Sequence, residues 1–103
     1  MSGKPVDVLV ACGSGIATSS VAAEAIKDIC NKANIPIVIH KGQIQDIKSL
    51  EKNVDVVMVT MNYRALISKP LIKVFGLISG INQEQIAKEI IKECQMIYEK
   101  KNN

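Results

Sequence analysis

The chain has 103 residues, 48% hydrophobic with only three aromatics, and a net charge of +3 from 13 basic and 10 acidic side chains. That is the length of one domain, 1–103, with enough Val, Ile, Leu and Ala for a core that needs neither disulfides nor metal. The lysines are scattered rather than striped, which argues against nucleic acid, and no apolar run nears the ~20 residues of a membrane span.

The first predicted element is a strand, Asp7–Ala11, with no apolar signal segment before it. A run of small residues follows, Cys12-Gly13-Ser14-Gly15-Ile16-Ala17, and then an alanine-rich helix over Thr18–Ala33. Ala22, Ile26, Ile29, Cys30 and Ala33 recur at helical spacing on its inner face, with Glu24, Lys27, Asp28 and Asn31 outward. Asn34 and Pro36 end it. Ile35–Ile39 reads as a second strand, Gln45–Leu50 as a short helix and Val54–Thr60 as a third strand, whose β-branched run suits burial on both faces. Pro70–Val74 is the fourth strand. Asn82 then caps a last helix reaching about Lys100, with Gln85 completing a capping box and Ile86, Ile90, Cys94 and Ile97 facing inward. Lys101-Asn102-Asn103 should fray. This alternation implies an α/β fold, a small parallel sheet with helices on both faces and the site beyond the carboxyl ends of its strands.

Cys12 is the candidate nucleophile, because it stands where a buried strand gives way to a glycine-rich loop and a helix start. Orphan N–H groups and the positive end of the helix dipole would surround its sulfur, favour the thiolate and cradle a phosphoryl group. The loop Gly13, Ser14, Gly15, Ile16, Ala17, Thr18 and Ser19 is the predicted phosphate cradle, and Tyr63 and Arg64, after the third strand, should lie beside it. Cys30 and Cys94 sit on apolar helix stripes and read as core. The three cysteines are widely spaced and lack a C-x-x-C pair, which argues against a zinc site or disulfide framework and for a reducing cytoplasm. His40, the lone histidine, is placed at the end of the second strand, half in water.

Two nucleotide readings fail on the residues. Thr18 stands where a G-x-G-x-x-G/A motif ends, no acid closes the second strand, and no Gly-Lys-Ser/Thr occurs. A low-molecular-weight cysteine phosphatase needs Cys, five residues and Arg. Counting from Cys12, that position holds Thr18, followed by Ser19, and no Asp-Pro pair supplies a general acid. Without the guanidinium fork, a phosphocysteine should persist long enough to be passed on. A non-catalytic anion-binding module is the remaining alternative.

As a whole the chain resembles the IIB component of the bacterial phosphoenolpyruvate-dependent sugar phosphotransferase system, in its galactitol-type branch within the lactose/cellobiose-like superfamily. The resemblance rests on Val10-Ala11-Cys12-Gly13-Ser14-Gly15-Ile16-Ala17-Thr18-Ser19, Pro70-Leu71-Ile72 and Leu77-Ile78-Ser79-Gly80-Ile81. One departure is Gly13-Ser14-Gly15, where Gly-Gly and a small apolar residue are common in the branch. The resemblance implies a four-stranded parallel sheet in the order 2-1-3-4 and a cytoplasmic phosphocarrier, monomeric alone and without cofactor or metal. Cys12 would then accept phosphate from a phosphohistidine of the IIA component. It would donate it to a sugar or polyol, such as galactitol, held by the membrane component IIC.

Overall fold

In a computed structural model, residues 4–12, 16–60, 69–74, 76 and 80–102 are described, the side chains of 12 and 16–20 excepted. The elements run β1 (Val6–Cys12), α1 (Ile16–Lys32), β2 (Ile37–Gln43), a 3-10 turn (Ile44–Asp46), α2 (Ile47–Leu50), a second 3-10 turn (Glu51–Asn53), β3 (Val56–Val59), β4 (Leu71–Lys73) and α3 (Gln83–Lys101). All three strand pairings are parallel, and the sheet order is β2-β1-β3-β4, the order the family resemblance implied.

Alternation along β1 explains how one strand serves two cores. Val6, Val8 and Val10 face α1 and α3, packing with Ala22, Ile26, Cys30, Val56, Met58, Ile90 and Cys94. Leu9 and Ala11 face the other way, against Ile47, Val54, Val57 and Val59. Every β1 residue from Val8 to Ala11 is fully buried, and burying a side chain the size of Val or Leu contributes about 1.5–3 kcal/mol. Helices therefore cover both faces as expected: α1 and α3 on one, the short α2 on the other. Gly42 lets α2 settle on the sheet, since a Cβ there would come within 2.8 Å of Leu50 Cδ1.

The start of α1 differs from the sequence expectation. It begins at Ile16 rather than Thr18, which shortens the link from β1 to the three residues 13–15. Ala17, the best helix former, extends the helix back towards the strand. At its other end the helix closes as the sequence foresaw, on Asn34. That residue adopts the left-handed φ of 61°. The Ile35 and Asn34 N–H groups then donate to the carbonyls of Cys30 and Asn31 at 2.9 and 3.1 Å, a Schellman closure.

Three further expectations are corrected. β2 continues through His40 to Gln43, so His40 lies within the strand and not at its end; seven residues pair with β1 regardless of their polarity, because an edge strand keeps a solvated side. Asn82 precedes α3 but makes no side-chain cap, because its left-handed backbone (φ 59°, ψ 32°) departs from the extended geometry that aims a capping oxygen at the first turn. Nor do Lys101 and Asn102 fray. The Asn102 side chain accepts from the Lys4 N–H at 2.6 Å and donates to the Tyr98 carbonyl at 2.8 Å, tying the end of α3 to the start of the chain. Asn103 lies outside the described residues.

Candidate phosphoryl-transfer site

β1 is the strand at which the sheet order switches. The chain leaves it for β2 on one side and returns to β3 on the other, and open α/β sheets bind their ligands beyond the carboxyl ends of the strands at such a switch. Cys12 is the last residue of β1, at the carboxyl end of that switch strand, paired across the ladder with Gln43. On its other flank, the Thr60 N–H donates to the Ala11 carbonyl at 3.3 Å, holding the end of β3 alongside. Four residues after Cys12 the backbone is already helical.

The electrostatics follow from that spacing. The first N–H groups of a helix have no intrahelical partner, and α1, at 17 residues, is long enough for a full dipole. Its first turn carries no acidic side chain, so nothing there opposes an anion. Ile16, Ala17, Thr18 and Ser19 all belong to this opening turn, whereas the sequence had placed the first two in the loop. Gly13, Ser14, Gly15, Tyr63 and Arg64 lie outside the described residues. A groove of about 530 Å³ runs elsewhere, beside the edge strand β4, between Leu71, Lys73, Ile81 and Ile86. It is two strands away from Cys12.

Residues 7–94 match the family described as PTS system, Lactose/Cellobiose specific IIB subunit. The chain belongs to this family. The PTS system galactitol-specific EIIB component of Escherichia coli strain K12 is 33% identical over 89 residues, covering 85% of this chain and 95% of that one. Its counterpart from Shigella flexneri is 31% identical over the same shares. Among solved structures, the lactose-specific IIB component domain of the phosphotransferase system from Streptococcus pneumoniae superposes with a TM-score of 0.55 at 19% identity, covering 93% of this chain and 97% of that one. That likeness shows the shared fold.

The protein is thus a IIB component of a sugar phosphotransferase system and a phosphotransferase; IIB components work with IIA and IIC partners. Among the described residues, no helix is long and apolar enough to cross a membrane.

His40 and the two cysteines read as core lie away from the carboxyl end of β1. His40 is half exposed and its Nε2 lies 3.0 Å from the Asp7 carboxylate, towards the amino ends of the strands. Cys30 and Cys94 are buried in the α1–α3 core as expected. Sequence reasoning missed Gln43, the ladder partner of Cys12. Its signal was faint, because the apolar run that defined the second strand had already ended at Ile39.

A second charged constellation was not foreseen at all. Lys101 Nζ donates to Asp55 at 2.7 Å, to Asp7 at 3.2 Å and to the Pro5 carbonyl at 2.8 Å. Asp55 in turn accepts from the Asp7 N–H at 2.9 Å. The His40 ring above all, with the Lys101 ammonium, holds the Asp7 carboxyl below its ordinary range against the opposing effect of burial. Burial pulls the Lys101 ammonium down, but its bonds to Asp55 and Asp7 outweigh that and leave it raised. This cluster fastens the end of α3 beneath β1 and β3, far from Cys12.

Proposed function

We propose that Cys12 is the residue this IIB component phosphorylates, within one phosphocarrier domain spanning 1–103. The observation that supports it is the position of Cys12 at the end of the switch strand, with α1 opening four residues later. Its thiolate attacks the phosphorus of a phosphohistidine on IIA; the N–P bond breaks as the S–P bond forms, and the imidazole leaves. A hydroxyl of the sugar held by IIC then attacks the same phosphorus, the S–P bond breaks and the thiolate leaves. Backbone N–H groups of residues 13–19 carry the phosphoryl charge, and Tyr63 and Arg64 border it. A helix end and a loop stabilise both the free thiolate and the phosphocysteine, so neither state is trapped.

The likeness to galactitol-specific relatives supports a polyol such as galactitol as the acceptor. The carrier works in the cytoplasm and docks on IIC at the inner face of the membrane. Incubated with phosphoenolpyruvate, the general components and IIA, the protein should gain the mass of one phosphoryl group. Cys12→Ser should abolish that gain, since a hydroxyl without a base is a far weaker nucleophile. Undiminished labelling of the variant would overturn the assignment. Turnover of an aryl phosphate at ~1 per second or faster would instead identify a phosphatase.

A further inference from the structure

Two nucleophiles take no part in phosphoryl transfer. Cys30 and Cys94 are both fully buried, and their sulfurs lie 3.9 Å apart although 64 positions separate them in sequence. They belong to different helices, α1 and α3, and share one apolar cluster with Val6, Ile26 and Ile90. Closing the gap to an S–S bond of ~2.05 Å takes a movement of ~1.9 Å, within the reach of two side chains already in contact. We propose that Cys30 and Cys94 form an oxidisable dithiol, which a peroxide converts to an internal disulfide that staples α1 to α3.

The chemistry balances without any other group. One sulfur attacks a peroxide oxygen and the O–O bond breaks, leaving a sulfenic acid and a hydroxide that takes up the thiol proton as water. The second sulfur attacks the sulfenic sulfur, the S–O bond breaks, and the oxygen departs with the remaining proton as a second water. Two thiols and one peroxide thus give one disulfide and two waters, the two electrons coming from sulfur. Cys30 is placed to attack first, because its hydrogen bond with Cys94 lowers it while that bond and burial push Cys94 up. Hydrogen peroxide is close to water in size and can reach the pair through local openings that would not admit a bulky disulfide reagent.

Location separates this pair from the phosphoryl site. Cys30 is fourteen residues along α1 from Ile16, about 21 Å from the helix start at 1.5 Å per residue. The link would also close a long loop in the unfolded chain, so oxidation stabilises the fold while leaving the Cys12 end of α1 unaltered.

The test uses the full chain, exposed to hydrogen peroxide, alkylated and digested with trypsin without reductant. Peptides 28–32 and 93–100 should appear joined, and dithiothreitol should separate them. The oxidised protein should melt several degrees above the reduced one. Cys12→Ser, which removes the competing thiol, should give the same linked peptides in undiminished yield. In Cys94→Ala, Cys30 loses its partner and should be trapped as a sulfenic acid by dimedone. Complete oxidation of Cys12 with no 30–94 link would overturn the proposal, as would recovery of Cys30 and Cys94 only as sulfinic acids or joined to Cys12. If Cys94→Ala fails to fold, the peptide map of the unaltered chain decides alone.

Discussion

The two ends of the sheet are made of different materials. At the carboxyl end of β1, α1 opens four residues after Cys12 with its first main-chain N–H groups unpaired within the helix and no acid in its first turn. At the amino end, Asp7, Asp55 and Lys101 interlock through short charged hydrogen bonds and fasten the last turn of α3 to the first strand. Main-chain donors suit a group that must be held and then released. Charge-assisted bonds between fixed side chains suit permanent attachment, being roughly twice as strong as neutral ones. On the assignment proposed for Cys12, transfer and anchorage lie at opposite ends of one buried strand.

Thiol reactivity should separate the ends most sharply. Iodoacetamide at neutral pH should modify Cys12 ~1000-fold or more faster than Cys30 and Cys94, which react only when the fold opens at a cost of at least about 5 kcal/mol. Salt and phosphate should slow the reaction of Cys12 alone. Equal labelling of all three in the folded protein would remove the distinction between a strand-end thiol and two core thiols.

Next in size is the core shared by both ends. Ile90→Ala, in the fully buried stripe of α3, should destabilise the protein by about 2–5 kcal/mol in urea melts. The folded fraction should still accept phosphate, since Ile90 is buried in the apolar cluster with Ile26, Cys30 and Cys94 and belongs to neither β1 nor the opening turn of α1. Loss of transfer without loss of stability would show that α3 takes part in the site.

The amino-end anchor should be worth less. Lys101→Met, removing an ammonium whose side chain is 24% exposed, should cost about 1–3 kcal/mol. Its signature is in the pH dependence. The Asp7 carboxyl is lowered in the folded state from its ordinary 3.8, so its contribution is complete above that value and is lost as the pH falls through the folded one. Lys101 is raised above 10.5, so its contribution is complete below that pH and is lost as the pH rises through the folded value. Thermal melts of Lys101→Met should therefore fall less steeply at both extremes. Unchanged acid and alkaline limbs would show that the cluster does not hold the terminus.

The smallest effect is at Gly42. An added Cβ meets Leu50 Cδ1, the far end of a side chain that can shift, so Gly42→Ala should cost about 1 kcal/mol and spare phosphorylation. A larger loss would mean that α2 cannot adjust on the sheet.

Much of the fold was legible because burial leaves its period in sequence. The valine-rich β1 and β3 read as strands buried on both faces, and Ala22, Ile26, Cys30, Ile90 and Cys94 marked the inner stripes of α1 and α3. Asn34 was legible as a helix stop because few other residues tolerate its left-handed backbone. The candidate site was legible for the same local reason: strand end, glycine-rich loop and helix start follow one another along the chain. Boundaries set by pairing were not legible. β2 extends through His40, Lys41 and Gln43 because β1 offers seven ladder partners, and nothing in those side chains announces it.

The sequence by itself determined the alternation of strands and helices, the faces they bury and the placing of Cys12 at a strand end, all of which depend on residues within a few positions of one another. Tertiary structure alone decided which distant residues meet. Asp55 and Lys101 stand 46 positions apart and Cys30 and Cys94 stand 64 apart, yet each pair is in direct contact. Those meetings are fixed by how the parallel crossovers return the chain to the sheet, and side-chain chemistry carries no record of that path until the chain has folded.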